Sequence, residues 1–152
     1  SLVAAADGGG DHYGGCMNVR LHQSVSTAAT EGGFVRCSWG CTREVFLVGR
    51  WAIKIPQIRY EWRHFLQGLL ANMQELQWWK NFPQPELCPV LWGIPGGWLI
   101  IMRRAKPMTR DQFDAIDVKA WCDRGDWIVP AENKMDSFGW IGDQLVAVDY
   151  GN

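Results

Sequence analysis

No apolar run in the 152-residue chain approaches the ~20 residues that span a bilayer, so no transmembrane helix is expected. No two cysteines have C-x-x-C spacing, and Cys16, Cys37, Cys41, Cys88 and Cys122 are an odd count. A complete internal disulfide framework is therefore not expected, and a reducing, cytoplasmic setting is. Cys37 and Cys41 with His12 or His22 lack the spacing of a zinc module, and small buried side chains are the plainer reading. The opening Ser1-Leu2-Val3-Ala4-Ala5-Ala6 has no basic residue and too short an apolar stretch to read as a secretory leader. The ten tryptophans are not interleaved with a basic stripe, so no nucleic-acid platform is expected. Several of them fall in strand-like runs and read as core.

What is present is 47% hydrophobic and 20% charged sequence, enough for one packed domain rather than a disordered chain. The net charge of −1 conceals a split. Residues 36–110 hold eleven basic against four acidic residues, and 111–152 hold three against nine. Two packed parts with complementary fields account for this. A wall of cations facing carboxylates would also suit a polyphosphate with a bound divalent metal.

Residues 1–32 read as a Gly-rich N-terminal arm with one short strand near 19–21. From 33 the pattern becomes regular. Strands are expected at 34–37, 44–48 and 51–55, with Gly49-Arg50 as the hairpin turn between the last two. A helix is expected over 58–80, with Ile58, Trp62, Phe65, Leu66, Leu69, Leu70, Met73 and Leu76 as its apolar stripe. Trp78 and Trp79 lie off that stripe. The helix therefore either is covered on both sides or breaks near Gly68. Pro95-Gly96-Gly97 joins strands at 90–94 and 98–102, and Lys106-Pro107 ends the second. One short helix at 110–122 and a hairpin at 138–148 complete the chain. The expected class is α+β: a five-stranded antiparallel sheet with one main helix, a short helical segment and a C-terminal hairpin.

This order resembles the protein-kinase-like fold, and short kinase-like proteins of phages and bacteria most of all. Trp51-Ala52-Ile53-Lys54 looks like the V-A-I-K strand, and Asp149-Tyr150-Gly151 looks like D-F-G. The resemblance implies a sheet-bearing lobe over 33–105 and a metal-type hairpin within 106–152. It implies ATP and Mg²⁺ as ligands, with Lys54 on the phosphates and Asp149 on the metal. It also implies Glu75, twenty-one residues after Lys54, as that lysine's helix partner, Gly40 in the phosphate-facing turn, and Arg103 at the hinge.

The sequence departs from the family where chemistry is concentrated. Glu132-Asn133-Lys134-Met135-Asp136-Ser137 stands where D-L-K-P-E-N would be, so Glu132 replaces the catalytic aspartate. The register that uses Asn133 as a metal ligand puts Ile128 at that position instead. The 38–42 turn has one glycine rather than three, and only Asn152 follows the D-Y-G motif, so no helical platform for peptide substrates is expected. The expected function is a pseudokinase-like nucleotide-binding or interaction module, a protein partner included, with little or no phosphotransferase activity. A minimal ATP-dependent phosphotransferase and an unrelated α+β binding domain are the alternatives.

Overall fold

A computed structural model describes residues 34–37, 42–59 and 61–151. The arm expected at 1–32, its strand near 19–21, and Gly40 lie outside them. Runs of β-branched and aromatic residues form β1 (Phe34–Cys37), β2 (Arg43–Val48), β3 (Trp51–Pro56), β4 (Val90–Ile94) and β5 (Leu99–Arg103). These pair antiparallel in the order β1-β2-β3-β5-β4. Gly49-Arg50 closes the β2–β3 hairpin with Val48 opposite Trp51.

The chain is α+β with antiparallel sheets, but it is not one sheet, one main helix and a hairpin. Lys106–Pro107, expected only to end a strand, forms β6 against β7 (Phe138–Ile141), and β8 (Gln144–Ala147) completes a second, three-stranded sheet. The single helix expected over 110–122 is two, α2 (Arg110–Asp114) and α3 (Val118–Cys122). Thr109 and Gln112 close a capping box on α2, and Asp117 accepts the Ala120 N–H at 3.0 Å to cap α3. The second cap sets a helix start where a continuous helix would have run through.

The main helix, α1 (Trp62–Asn81), starts four residues later than expected and is unbroken at Gly68. Its orientation splits the stripe read from the sequence: Phe65 is buried and Leu69 and Leu76 are half-buried, but the rest lie outside. Phe65, Gly68, Ala71, Asn72 and Glu75 face inward, while Trp62, Leu66, Leu70 and Met73 are exposed. Close approach is the reason. A Cβ on Gly68 would sit 2.3 Å from the Thr42 carbonyl oxygen and 3.0 Å from the Pro56 Cα, so only the small-residue face lets the helix settle on β2 and β3. Gly97 does the same from the β4–β5 turn: its φ is +77°, and a Cβ there would lie 2.1 Å from the Leu69 carbonyl oxygen. Gly97→Ala is expected to destabilise by about 1–3 kcal/mol through left-handed strain and overpacking, read from the urea midpoint. An unchanged midpoint would mean that the turn is not packed on α1 in solution.

One buried cluster runs from Leu87, Cys88, Val90, Ile100 and Met102 through Met108, Val118 and Val129 to Phe138, Val146, Ala147 and Tyr150. It joins both sheets. The nine described tryptophans are not its centre, contrary to the sequence reading. Trp51, Trp62, Trp92 and Trp98 are exposed, and Trp78, Trp79, Trp121, Trp127 and Trp140 are partly buried around the cluster. An indole is large enough to cover a core edge while keeping one side in water. Among the described residues, no helix is long and apolar enough to cross a membrane.

Candidate functional site

Strand register decides which side chains meet. Val45 lies opposite Lys54, Leu47 opposite Ala52, Ala52 opposite Met102, and Lys54 opposite Ile100. Directly opposed residues share a sheet face, so all six belong to one face, and Arg43 joins it by the period of two along β2. The sequence reading put Lys54 on the face away from the core. The structure reverses this: the Lys54 face turns toward α1 and the second sheet, and Lys54 is only 6% exposed. The alternate face carries Trp51, which is 43% exposed. A lysine is tolerated inside because a carboxylate meets it there.

That carboxylate is Glu75, 0% exposed on the inward face of α1. Lys54 Nζ donates to both of its oxygens at 2.9 Å and to the Val148 carbonyl oxygen at 2.6 Å. Arg43, for which the sequence suggested no role, donates from one terminal nitrogen to Glu75 at 2.7 Å and from the other to Asp149. Asn72 accepts from Arg43 at 3.4 Å and donates to the Gly97 carbonyl oxygen at 2.8 Å, which ties the network to the β4–β5 turn. Burial and then Glu75 and Asp149 act on Arg43 in opposite directions. The carboxylates prevail, and its pKa lies above the ordinary guanidinium value. Burial alone would raise the Asp149 pKa, but Arg43 and then Lys54 hold it below the usual carboxylate value.

The network forms one end of a cleft of about 640 Å³. Val45, Leu47, Ala52 and Met102 form an apolar wall from the five-stranded sheet, faced by Met108, Met135 and Phe138. Cys88 also lines the cleft. Its Sγ donates to the Arg103 carbonyl oxygen at 3.0 Å, and burial pushes its thiol up to about 12, so it stays protonated at neutral pH. The Tyr150 hydroxyl donates to the Cys88 carbonyl oxygen at 2.8 Å and anchors the segment bearing Asp149.

Of the residues singled out in the sequence, Lys54, Arg103, Glu132 and Asp149 line this cleft, and Glu75 stands behind Lys54. Glu132 is exposed and ion-paired with Lys134. Asn133 is exposed and does not line the cleft. The missed member, Arg43, had a legible signal: it has the parity of Val45 and Leu47, which the hairpin register places beside Lys54.

In this arrangement Asp149 is engaged by Arg43 and Asn133 stands off the cleft, while Asp136 joins Asp149 in its lining. The described residues contain no group of three His, Cys, Asp or Glu side chains placed to hold a metal ion. What they define is an α+β domain with a cleft between its two sheets, lined by apolar residues and by both basic and acidic ones. No family model matches the chain, and neither a curated protein nor a solved structure matches it.

Proposed function

We propose that this chain is a kinase-like nucleotide-binding module with little or no phosphotransferase activity. The observation that carries the reading is that Lys54, held by Glu75, and Asp149 line one cleft beside an apolar wall. A fixed cation for phosphate oxygens and an apolar slot for a base are what a nucleotide requires. The cleft's volume of about 640 Å³ lies within the range of small-molecule and cofactor sites. In this reading, β1 to β5 and α1 are the kinase-like N-lobe. Low turnover follows from the sequence of the loop, where no aspartate stands at the catalytic position and Glu132 is engaged by Lys134.

Thermal melting with ATP, in Mg²⁺ and separately in EDTA, tests the reading. ATP at a hundred times its dissociation constant is expected to add about 2.7 kcal/mol of stability. Lys54→Ala is expected to weaken binding to the folded protein by about 1–3 kcal/mol, the scale of a charge-assisted hydrogen bond, measured by titration calorimetry. No shift in either buffer at saturating ATP would remove the nucleotide reading. The Lys54–Glu75 pair also favours a second reading, a minimal phosphotransferase. Sustained transfer from labelled ATP that is lost in Asp149→Ala would establish that one instead.

A further inference from the structure

The nucleotide reading above leaves Arg43 without a role, and its placement is the least ordinary feature of the cleft. An arginine is 6% exposed, enters from the sheet, and spans two carboxylates contributed by other elements, Glu75 of α1 and Asp149 after β8. Its bonds to Asn72, Glu75 and Asp149 use three of the guanidinium's five N–H donors. Together with Lys54, it balances Glu75 and Asp149 charge for charge.

We infer that Arg43 is the cleft's own cation at the position where a divalent ion would otherwise bind, so that the cleft takes a phosphate chain without divalent metal. The inference rests on the nucleotide reading for its ligand, but not for its claim about metal. A divalent ion would have to displace the guanidinium from Asp149 and sit beside two buried cations. Losing the buried Arg43 guanidinium's partner and adding positive charge beside Lys54 are both unfavourable, although Asp149 itself is partly exposed. A phosphate chain meets a mildly basic lining: Arg43, Lys54, Arg103, Lys106 and Lys134 against Glu132, Asp136 and Asp149, with Glu75 behind Lys54 as a fourth carboxylate. A planar guanidinium also matches phosphate oxygens in geometry, which an ammonium alone does not.

The test has two arms on the full chain. In the first, Mn²⁺ is titrated into protein and the unbound ion is followed by electron paramagnetic resonance. Wild type is expected to leave the Mn²⁺ signal unchanged. Arg43→Gln, which removes the cation and keeps both carboxylates, is expected to take up Mn²⁺, and the added change Asp149→Asn to abolish that uptake. In the second, ATP is titrated calorimetrically in EDTA and in Mg²⁺. Wild-type affinity is expected to differ by less than about tenfold between the buffers, while Arg43→Gln is expected to gain more than that from Mg²⁺. Arg43→Lys, which keeps the charge, is expected to exclude Mn²⁺ as wild type does, and it guards against an Arg43→Gln protein that fails to fold. Mn²⁺ uptake by wild type, or uptake by neither wild type nor Arg43→Gln, would overturn the inference. So would an ATP affinity in wild type that rises tenfold or more with Mg²⁺. Absence of ATP binding in every buffer would instead remove the nucleotide reading, and the Mn²⁺ arm alone would then decide the role of Arg43.

Discussion

Glu75→Gln is expected to lower the stability of the protein by about 3–5 kcal/mol, the cost of leaving a buried charge without its partner. Glu75 is 0% exposed and receives three hydrogen bonds from two cations, at 2.7 and 2.9 Å. Glutamine preserves the shape and removes the charge. The Lys54 ammonium would then face a neutral amide, one half of which is itself a donor. Arg43 keeps Asp149, but that carboxylate is 39% exposed and compensates less. For a domain whose whole stability is about 5–15 kcal/mol, the loss is a large fraction of the total. Urea denaturation followed by circular dichroism reads it directly. A change below about 1 kcal/mol would place Glu75 in water rather than against Lys54.

Tyr150→Ala is expected to cost a similar amount, about 3–5 kcal/mol, because it empties a fully packed aromatic site. Tyr150 is 1% exposed within the cluster that joins the two sheets. Tyr150→Phe isolates the hydroxyl. It removes the 2.8 Å bond to the Cys88 carbonyl oxygen and is expected to cost only about 1–3 kcal/mol, the penalty for an unpaired buried acceptor. The pair of variants separates packing from hydrogen bonding, and their thermal unfolding midpoints should fall in that order. Equal midpoints would mean that the ring contributes nothing beyond its hydroxyl. Since Asp149 is adjacent, Tyr150→Ala should also weaken ATP binding in protein that remains folded, whereas Tyr150→Phe should not.

Local pattern carried much of this protein. Alternation and Gly-bearing turns marked β2–β3, β4–β5 and β7–β8, because a hairpin requires only neighbouring residues and a turn that permits positive φ. The resemblance of the Lys54 and Asp149 motifs, and not spacing by itself, singled out Lys54, Glu75 and Asp149, of which Lys54 and Asp149 line the cleft and Glu75 holds Lys54. Tertiary structure decided the rest. A period of 3.6 identifies a helix but not the face that packs, and on α1 only Phe65 of the apolar stripe is fully buried, beside Gly68, Ala71, Asn72 and Glu75. Backbone approach to Thr42 and Pro56, and the need of a buried lysine for a counter-charge, together outweighed the burial of four apolar side chains. The same contacts chose which face of the sheet looks inward, made Lys106–Pro107 a strand only once β7 lay beside it, and gave Arg43 two carboxylates from elements 32 and 106 residues away. No window of sequence encloses interactions of that separation. They come into being only when helix, sheet and hairpin close on one another.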